Sequence, residues 1–312
     1  MLLLLYGALI IAQLGNCVKA YSMKRCGQIT PGPFNSICIN LARSLICILV
    51  SLFIWLLSDG QGTTVSGNII IIVSGIGTAF NLFSWILSTS FVSLIMIEAV
   101  STIGSMVIPL LLSPYLYGES AVTLLQWMGS FLICLSTFFF VNKDTSKKQE
   151  CSLFSKILLL FLCAGGLTLA NITKKYYTFN ISNEGLGSIE YFTFMSFITV
   201  FCFFAITFVV FYAIKKRQLV HSSEGSEEQR KVQLPYKKVW MFILAAAISL
   251  YVTELFITYA SDLPSTIYYP VSRALSIISF FLLDVIMYKD KVTLKKLIGI
   301  AIILAGIILV NI

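Results

Sequence analysis

The chain has 312 residues, of which 58% are hydrophobic and only 12% are charged, and it carries a formal net charge of +8. Such a composition leaves too few polar side chains to cover a water-soluble globule, which excludes that class of protein. We therefore expect an integral membrane protein.

Apolar runs follow one another along almost the whole chain, each about 20 residues long, which is enough to cross a hydrocarbon layer of roughly 30 Å. The first five predicted membrane helices lie at 2–22, 33–57, 67–88, 91–113 and 122–141. A cytoplasmic linker is predicted at 142–155. The next five helices are predicted at 156–177, 189–213, 238–260, 264–288 and 293–311. The predicted fold class is an all-α integral membrane protein with ten transmembrane helices.

Basic residues concentrate in four short stretches of the chain. Seventeen of the 22 Lys and Arg lie around Lys24 and Arg25 and at 143–156, 215–238 and 289–296. An even number of predicted helices separates each stretch from the next, so all four stretches fall on one face of the membrane. Because cytoplasmic loops carry the excess of Lys and Arg, we predict a multi-pass protein of the cell membrane with both termini outside.

The chain also contains an internal repeat. The pattern Asn-x-x-Lys-x-Tyr occurs near the ends of the first and sixth predicted helices, at Asn16, Lys19 and Tyr21 and at Asn171, Lys174 and Tyr176. The repeat divides the chain into a first unit at 1–141 and a second at 156–312. Since five helices is an odd number, the second unit enters the membrane inverted relative to the first, as in many secondary transporters.

Two further segments match between the halves, at 119–129 and 290–306. Each begins with an acidic residue, Glu119 or Asp290, followed by a Val-Thr-Leu link and a glycine-containing helix. This pairing resembles the EamA-type transporters of the drug/metabolite transporter superfamily over nearly the full length, although Ser120 and Lys291 replace an Arg that many members carry. The resemblance implies the ten-helix fold, transport of small molecules and a cavity that excludes the fifth and tenth helices. It does not identify the substrate, because the superfamily moves amino acids, drugs, sugars, nucleotide sugars and triose phosphates.

Four charged residues interrupt the apolar runs far from their ends. Arg43 and Arg273 fall near the predicted midplane, where each costs about 2.5–3.5 kcal/mol unless it is compensated. Glu98 lies in the fourth predicted helix and Glu254 in the eighth. Two ion pairs, one for each arginine, would lock helices together without touching a substrate. Alternatively, all four line a substrate cavity, which we favour because the apolar cores of the fifth and tenth predicted helices lack ionisable residues.

Several other polar and aromatic residues are candidates for binding or gating. Asn16, Lys19, Asn171 and Lys174 are predicted as symmetric gate or secondary binding residues, although the favoured interpretation of each lysine is that its ammonium snorkels to the interface. The predicted hydrogen-bonding and stacking residues are Asn81, Trp85, Tyr251, Tyr268 and Tyr269, each with ordinary packing as the alternative.

The sequence predicts a secondary active transporter that works by alternating access through a central cavity. Its cargo is expected to be a small polar organic metabolite, with an amino acid or a related zwitterion or anion as the first guess. The alternative is a proton-coupled exporter of cationic or amphipathic drugs, in which a membrane carboxylate exchanges protons for cargo. A receptor or scaffold also remains open.

An enzyme is not expected, because the chain has no HExxH or GxSxG motif and its single histidine is His221. We predict no cofactor, no metal site and no nucleic-acid partner. The expected partners are the lipid bilayer, the small-molecule substrate and, in the exporter alternative, a coupling proton. The protein is predicted to be a monomer or a homodimer.

Overall fold

The structure is a computed structural model that describes residues 2–30, 32–58, 60–89, 94–140, 153–221, 236–289 and 291–312. Four sets of predicted features therefore lie wholly or mostly outside the described residues. They are the linker at 142–155, the basic stretch at 215–238, the junction of the third and fourth predicted helices, and the acidic residue Asp290.

The described residues form helices joined by short connections, and no β-strand occurs among them. The helices of the first half are α1 (Leu2–Ile29), α2 (Pro33–Leu57), α3 (Val65–Thr89), α4 (Leu94–Tyr117) and α5 (Leu124–Phe140). The helices of the second half are α6 (Leu153–Tyr177), α7 (Ile189–His221), α8 (Tyr236–Ala260), α9 (Ser265–Tyr288) and α10 (Leu294–Val310). A π-helical turn, Thr178–Ser182, continues α6. The all-α prediction is confirmed.

Eight of these helices are long and apolar enough to cross a membrane. The exceptions are α5 and α10, which have 17 residues each and span only about 25 Å at 1.5 Å per residue. The outer surface is rich in exposed Leu, Ile and Phe side chains, whereas Arg43, Lys175 and many Ser and Thr residues are buried. This distribution is the reverse of a soluble globule and fits a multi-pass membrane protein.

Three helices extend beyond their predicted ends. Helix α1 continues to Ile29, so Lys24 and Arg25 lie in its last turns and not in a loop. The π-helical turn carries α6 on to Ser182. Helix α7 continues to His221, beyond its predicted end at residue 213. Polar residues can continue a helix beyond an apolar run, so hydropathy marks where the apolar segment ends and not where the helix ends.

The threonine of each Val-Thr-Leu link caps the helix that follows it. At the start of α5, the Thr123 hydroxyl accepts from the backbone N–H of Gln126 at 3.3 Å, and the Gln126 side chain accepts from the Thr123 N–H at 3.0 Å. This reciprocal pair is a capping box. At the start of α10, Thr293 accepts from the N–H of Lys296 at 3.4 Å. The repeated link therefore has a local structural reason in both halves.

Close helix crossings organise the bundle. Helix α1 packs along α8, α3 along α6, α2 along α7 and α5 along α10. At the α3–α6 crossing, a Cβ on Gly166 would lie 2.6 Å from the carbonyl oxygen of Gly77. At the α5–α10 crossing, a Cβ on Gly129 would lie 2.6 Å from the carbonyl oxygen of Gly306. Small residues at these points let the backbones approach, as in other membrane bundles.

Candidate functional site

A partly enclosed cavity lies inside the bundle, between α1, α2, α3, α4, α6, α8 and α9. The empty space between its walls, including the part open to solvent, is about 890 Å³. Helices α5 and α10 contribute nothing to the lining. Ten of the thirteen predicted site residues line this cavity: Asn16, Lys19, Arg43, Asn81, Trp85, Glu98, Asn171, Lys174, Glu254 and Arg273.

Both cavity carboxylates have a cationic partner. Arg273 of α9 lies 3.7 Å from Glu98 of α4, and the Ser276 hydroxyl donates to the same carboxylate at 2.7 Å. Lys174 of α6 forms an ion pair with Glu254 of α8. The packing alternative predicted one ion pair for each arginine. Arg273 has its glutamate partner, but the predicted pairing of Arg43 with a glutamate is wrong, because Glu254 pairs with Lys174.

Arg43 is almost completely buried, with 2% of its surface exposed. Its Nη2 donates to the Asn40 side-chain oxygen one turn earlier on α2, at 2.5 Å, and Asn40 in turn donates to the Ser36 carbonyl at 2.9 Å. The Nε of Arg43 is buried and has no hydrogen-bond partner. A buried guanidinium nitrogen without an acceptor is costly, so the cavity wall keeps an unused donor here.

Three further polar side chains of the lining have no protein partner. Within the described part of the chain, neither the Lys19 ammonium nor the amides of Asn16 and Asn171 hydrogen-bond to another residue. The prediction that Lys19 and Lys174 snorkel to the interface from helix ends is wrong. Helix α1 runs ten residues beyond Lys19, and the π-helical turn extends beyond Lys174, which is 4% exposed.

Neutral polar residues that were not predicted complete the lining and tie its helices together. Gln13 of α1 donates to Ser272 of α9 at 3.3 Å, and Thr253 of α8 donates to the Ala12 carbonyl at 3.2 Å. The predicted Asn81 donates to the Cys163 carbonyl of α6 at 2.9 Å. The lining residues missed from the sequence are Gln13, Met23, Thr78, Leu82, Ser101, Leu167, Ala170, Thr253, Ile257 and Phe280.

Three predicted binding residues lie outside the cavity. Tyr268 and Tyr269 are 1% exposed and pack in the apolar core against α1, α5 and α10. Tyr268 lies about 140° around α9 from Arg273, because five residues separate them at 100° each. Tyr251 packs against Phe197 of α7, with ring centroids 6.4 Å apart. None of the three lines the cavity, and each takes the packing role given as its alternative. Tyr269 lies only about 40° around α9 from Arg273, but it is one turn nearer the start of α9, where its hydroxyl lies 3.2 Å from that of Tyr117.

A second charged cluster closes one end of the bundle, where α4, α6 and α8 end and α9 begins. We call this the Glu119 end. The fully buried Lys175 ammonium lies 3.1 Å from Glu119 and donates to the carbonyls of Ser261 at 3.1 Å and Leu263 at 2.5 Å. The Glu119 carboxylate also accepts from the Ser265 N–H at 3.0 and 3.1 Å, at the N-terminus of α9.

Tyrosine side chains support this cluster from the bundle interior. The Lys175 ammonium lies 5.3 Å from the ring centre of Tyr117. The Tyr117 hydroxyl donates to the Ile172 carbonyl at 3.1 Å and lies 3.2 Å from the Tyr269 hydroxyl. We call Lys175, Glu119, Tyr117 and their partners the latch. Sequence reasoning missed the latch, since Lys175 looked like a residue at a helix end.

The cavity lining continues away from the latch. Along α9 it runs from Arg273 to Phe280, and along α4 from Ser101 back to Glu98. Both directions lead toward the end of the bundle opposite the Glu119 end. Among the described residues, no group of three or more His, Cys, Asp or Glu side chains lies together. The cavity contains two ion pairs, two further cations and several amide side chains.

Comparison with known proteins gives a fold likeness only. No protein-family model and no curated protein matches the chain, whereas 28 chains of solved structure do. One of them, described as "Crystal structure of protein", aligns over 98% of this chain and 94% of its own, with a TM-score of 0.63 and 13% identity. At that identity the likeness extends to the fold alone.

Proposed function

We propose that this protein is a secondary active transporter of a small polar organic metabolite, an amino acid or a related zwitterion or anion. The observation that carries the proposal is the cavity itself: four cations, two carboxylates and four amides face one space inside a bundle whose outer surface is apolar. Charged residues within membrane helices are costly and mark transport pathways by default. The space is also large enough for several water molecules.

Pseudo-symmetric packing supports an inverted-repeat transporter. If α1–α5 and α6–α10 are equivalent units, α1 corresponds to α6 and α3 corresponds to α8. The packed pair α1–α8 then corresponds to the pair α6–α3, and the pairs α2–α7 and α5–α10 each correspond to themselves. All of these pairs pack together. Asn16 and Lys19 of α1 and Asn171 and Lys174 of α6 also meet in one cavity. This arrangement is the one expected for an EamA-like protein with ten membrane crossings, including the short α5 and α10.

The latch supports alternating access. It ties α4, α6 and the start of α9 together at the Glu119 end, and a contact of this kind suits a carrier that opens to one side at a time. In the topology inferred from the basic stretches, the Glu119 end faces outward and the described state is closed to the outside of the cell membrane. We place both termini on that outer face.

The drug-exporter alternative is weaker. A carboxylate that exchanges protons for a cationic cargo should stand apart from cations, because a neighbouring positive charge keeps it ionised. Here Glu98 is beside Arg273 and Glu254 is paired with Lys174. Neither carboxylate is isolated, so the geometry favours cargo that carries a negative group.

The test is flux into vesicles containing the purified protein, using labelled amino acids and labelled organic amines in parallel. We expect uptake of the first class, and we expect the Arg273→Gln variant to lose it by about tenfold or more. Glu98→Gln tests whether a cavity carboxylate is needed for uptake. Glu190→Gln is its matched control, because Glu190 contacts Tyr259 outside the cavity. Amine uptake that depends only on Glu98 or Glu254 would favour the exporter. Ligand binding without flux would favour a receptor.

A further inference from the structure

The charged residues of the cavity do not balance. Its lining contains the cations Lys19, Arg43, Lys174 and Arg273 but only the anions Glu98 and Glu254. Two of the four cations are neutralised by the ion pairs described above. Among the described residues, the cavity therefore holds two more cations than carboxylates, and Lys19 and Arg43 are the two cations that form no ion pair.

These two cations retain unused donors. Among the described residues, the buried Nε of Arg43 has no acceptor, and the one hydrogen-bond partner of its guanidinium is the neutral Asn40. Lys19 has three donors and, within the described ranges, uses none of them. Asn16 lies one helical turn from Lys19 on the same side of α1, with its amide also unused. Unpaired charge inside a low-dielectric bundle is unfavourable until an anion joins it.

We infer that the cavity binds a small organic dianion, whose two negative charges are met by Lys19 and Arg43. This inference rests on the proposed function, and it narrows the substrate to one charge class. A zwitterion brings equal positive and negative charge, so the cavity would keep its excess of two positive charges. A cation would raise it to three. A molecule with two carboxylates or with a phosphate monoester neutralises both cations while the Lys174 and Arg273 ion pairs stay intact.

The first experiment measures binding calorimetrically, using the purified full chain in detergent at neutral pH. The probes are succinate, succinamate and succinamide, which have nearly the same shape but two, one and no negative charges. Affinity is expected to fall by about tenfold or more with each charge removed. The zwitterion 4-aminobutyrate should bind more weakly than succinamate. Three results would overturn the inference: equal binding across the succinate series, tighter binding of 4-aminobutyrate than of succinamate, or no binding at millimolar concentration of either succinate or the second dianion, glycerol 3-phosphate.

Glycerol 3-phosphate forms the second arm of this experiment, with glycerol as its neutral control. It distinguishes a phosphate monoester from a dicarboxylate as the source of the two charges. Preferential binding of either dianion supports the inference, and the tighter of the two identifies the acidic group.

The variant Lys19→Met tests the assignment within the cavity. It should weaken dianion binding by about tenfold or more, and Lys19→Arg should restore much of it. Without ligand, Lys19→Met should unfold at a temperature equal to or above that of the unmodified protein, because an unpaired charge has been removed. Lys216→Met, at an exposed position on α7, is the matched control and should change neither quantity. Unchanged dianion affinity in Lys19→Met would overturn the assignment.

Flux measurements separate the inference from the proposed function. Dianion binding without uptake into vesicles would overturn transport and leave the anion site standing. Uptake of 4-aminobutyrate with no preference for succinate would leave transport standing and overturn the inference.

Discussion

The latch allows a quantitative test of alternating access through the substitution Lys175→Met. In the closed arrangement, the Lys175 ammonium contacts the Glu119 carboxylate and two carbonyl oxygens, and its side chain is completely buried. Methionine removes all three contacts and leaves Glu119 with only the Ser265 N–H. Removing one partner of a buried ion pair costs about 3–5 kcal/mol. If the proposed transport cycle opens the Glu119 end by breaking the latch, the ratio of closed to open molecules should fall by about 100-fold or more.

The assay is the reactivity of a cysteine placed at Ile257, in a protein whose native cysteines have been replaced. Ile257 lines the cavity one turn before the end of α8 and is 6% exposed. A charged, membrane-impermeant thiol reagent added at the Glu119 end should react slowly with this cysteine while the latch is intact. In the Lys175→Met background the rate should rise in proportion to the open population.

Two controls define the outcome. The variant Glu119→Gln keeps the side-chain shape but removes the charge, so it should raise the labelling rate less than Lys175→Met. Lys216→Met should leave the rate unchanged. If Lys175→Met folds normally and its Ile257→Cys derivative reacts no faster, the latch is a fixed structural contact and the gating argument fails.

Three further predictions concern stability and the limits of the site. Gly166→Ala should lower the unfolding free energy by about 1–3 kcal/mol because its Cβ meets the α3 backbone. Gly165→Ala, where a Cβ meets open space, should be neutral or stabilising by up to about 1 kcal/mol; equal effects of the two would contradict the tight crossing. Tyr251→Phe should leave transport unchanged and should not destabilise the fold, because the buried hydroxyl has no partner; lost flux would place Tyr251 in the pathway. Lys174→Met should destabilise by about 3–5 kcal/mol, and adding Glu254→Gln should recover part of that loss; additive effects would contradict a coupled pair.

Composition and hydropathy were sufficient to predict the helices and half of the residues that line the cavity. A charge inside an apolar run has no favourable place facing lipid, so it must face the interior. That reasoning selected Arg43, Glu98, Glu254 and Arg273 before any contact was known. It applies equally to all five basic residues outside the four basic stretches, and each of them lies in the cavity or the latch: Lys19, Arg43, Lys174, Lys175 and Arg273.

Partners and helix faces could not be predicted in the same way. Whether Glu254 meets Arg43 or Lys174 depends on which helices are neighbours, and apolar runs do not encode that choice. The three tyrosines share helices with cavity residues but lie outside the lining, Tyr268 on another side of α9 and Tyr269 one turn nearer its start. An aromatic side chain suits a core as well as a binding site. The lengths of α1 and α7 were underestimated for a local reason: lysine favours helix almost as well as leucine does, so a charged residue ends the apolar run without ending the helix.

Glu98 pairs with Arg273 and Glu119 pairs with Lys175, and these long-range pairings have a consequence for biosynthesis. Both acids belong to the half of the chain that is translated first, while Arg273 and Lys175 are made later. A nascent first half must therefore hold Glu98 in its fourth helix without Arg273, at an insertion penalty of about 2.5–3.5 kcal/mol for a central charge. Stable integration thus depends on the arrival of the second half, and the assembled pair of halves is the smallest unit in which these acids are neutralised.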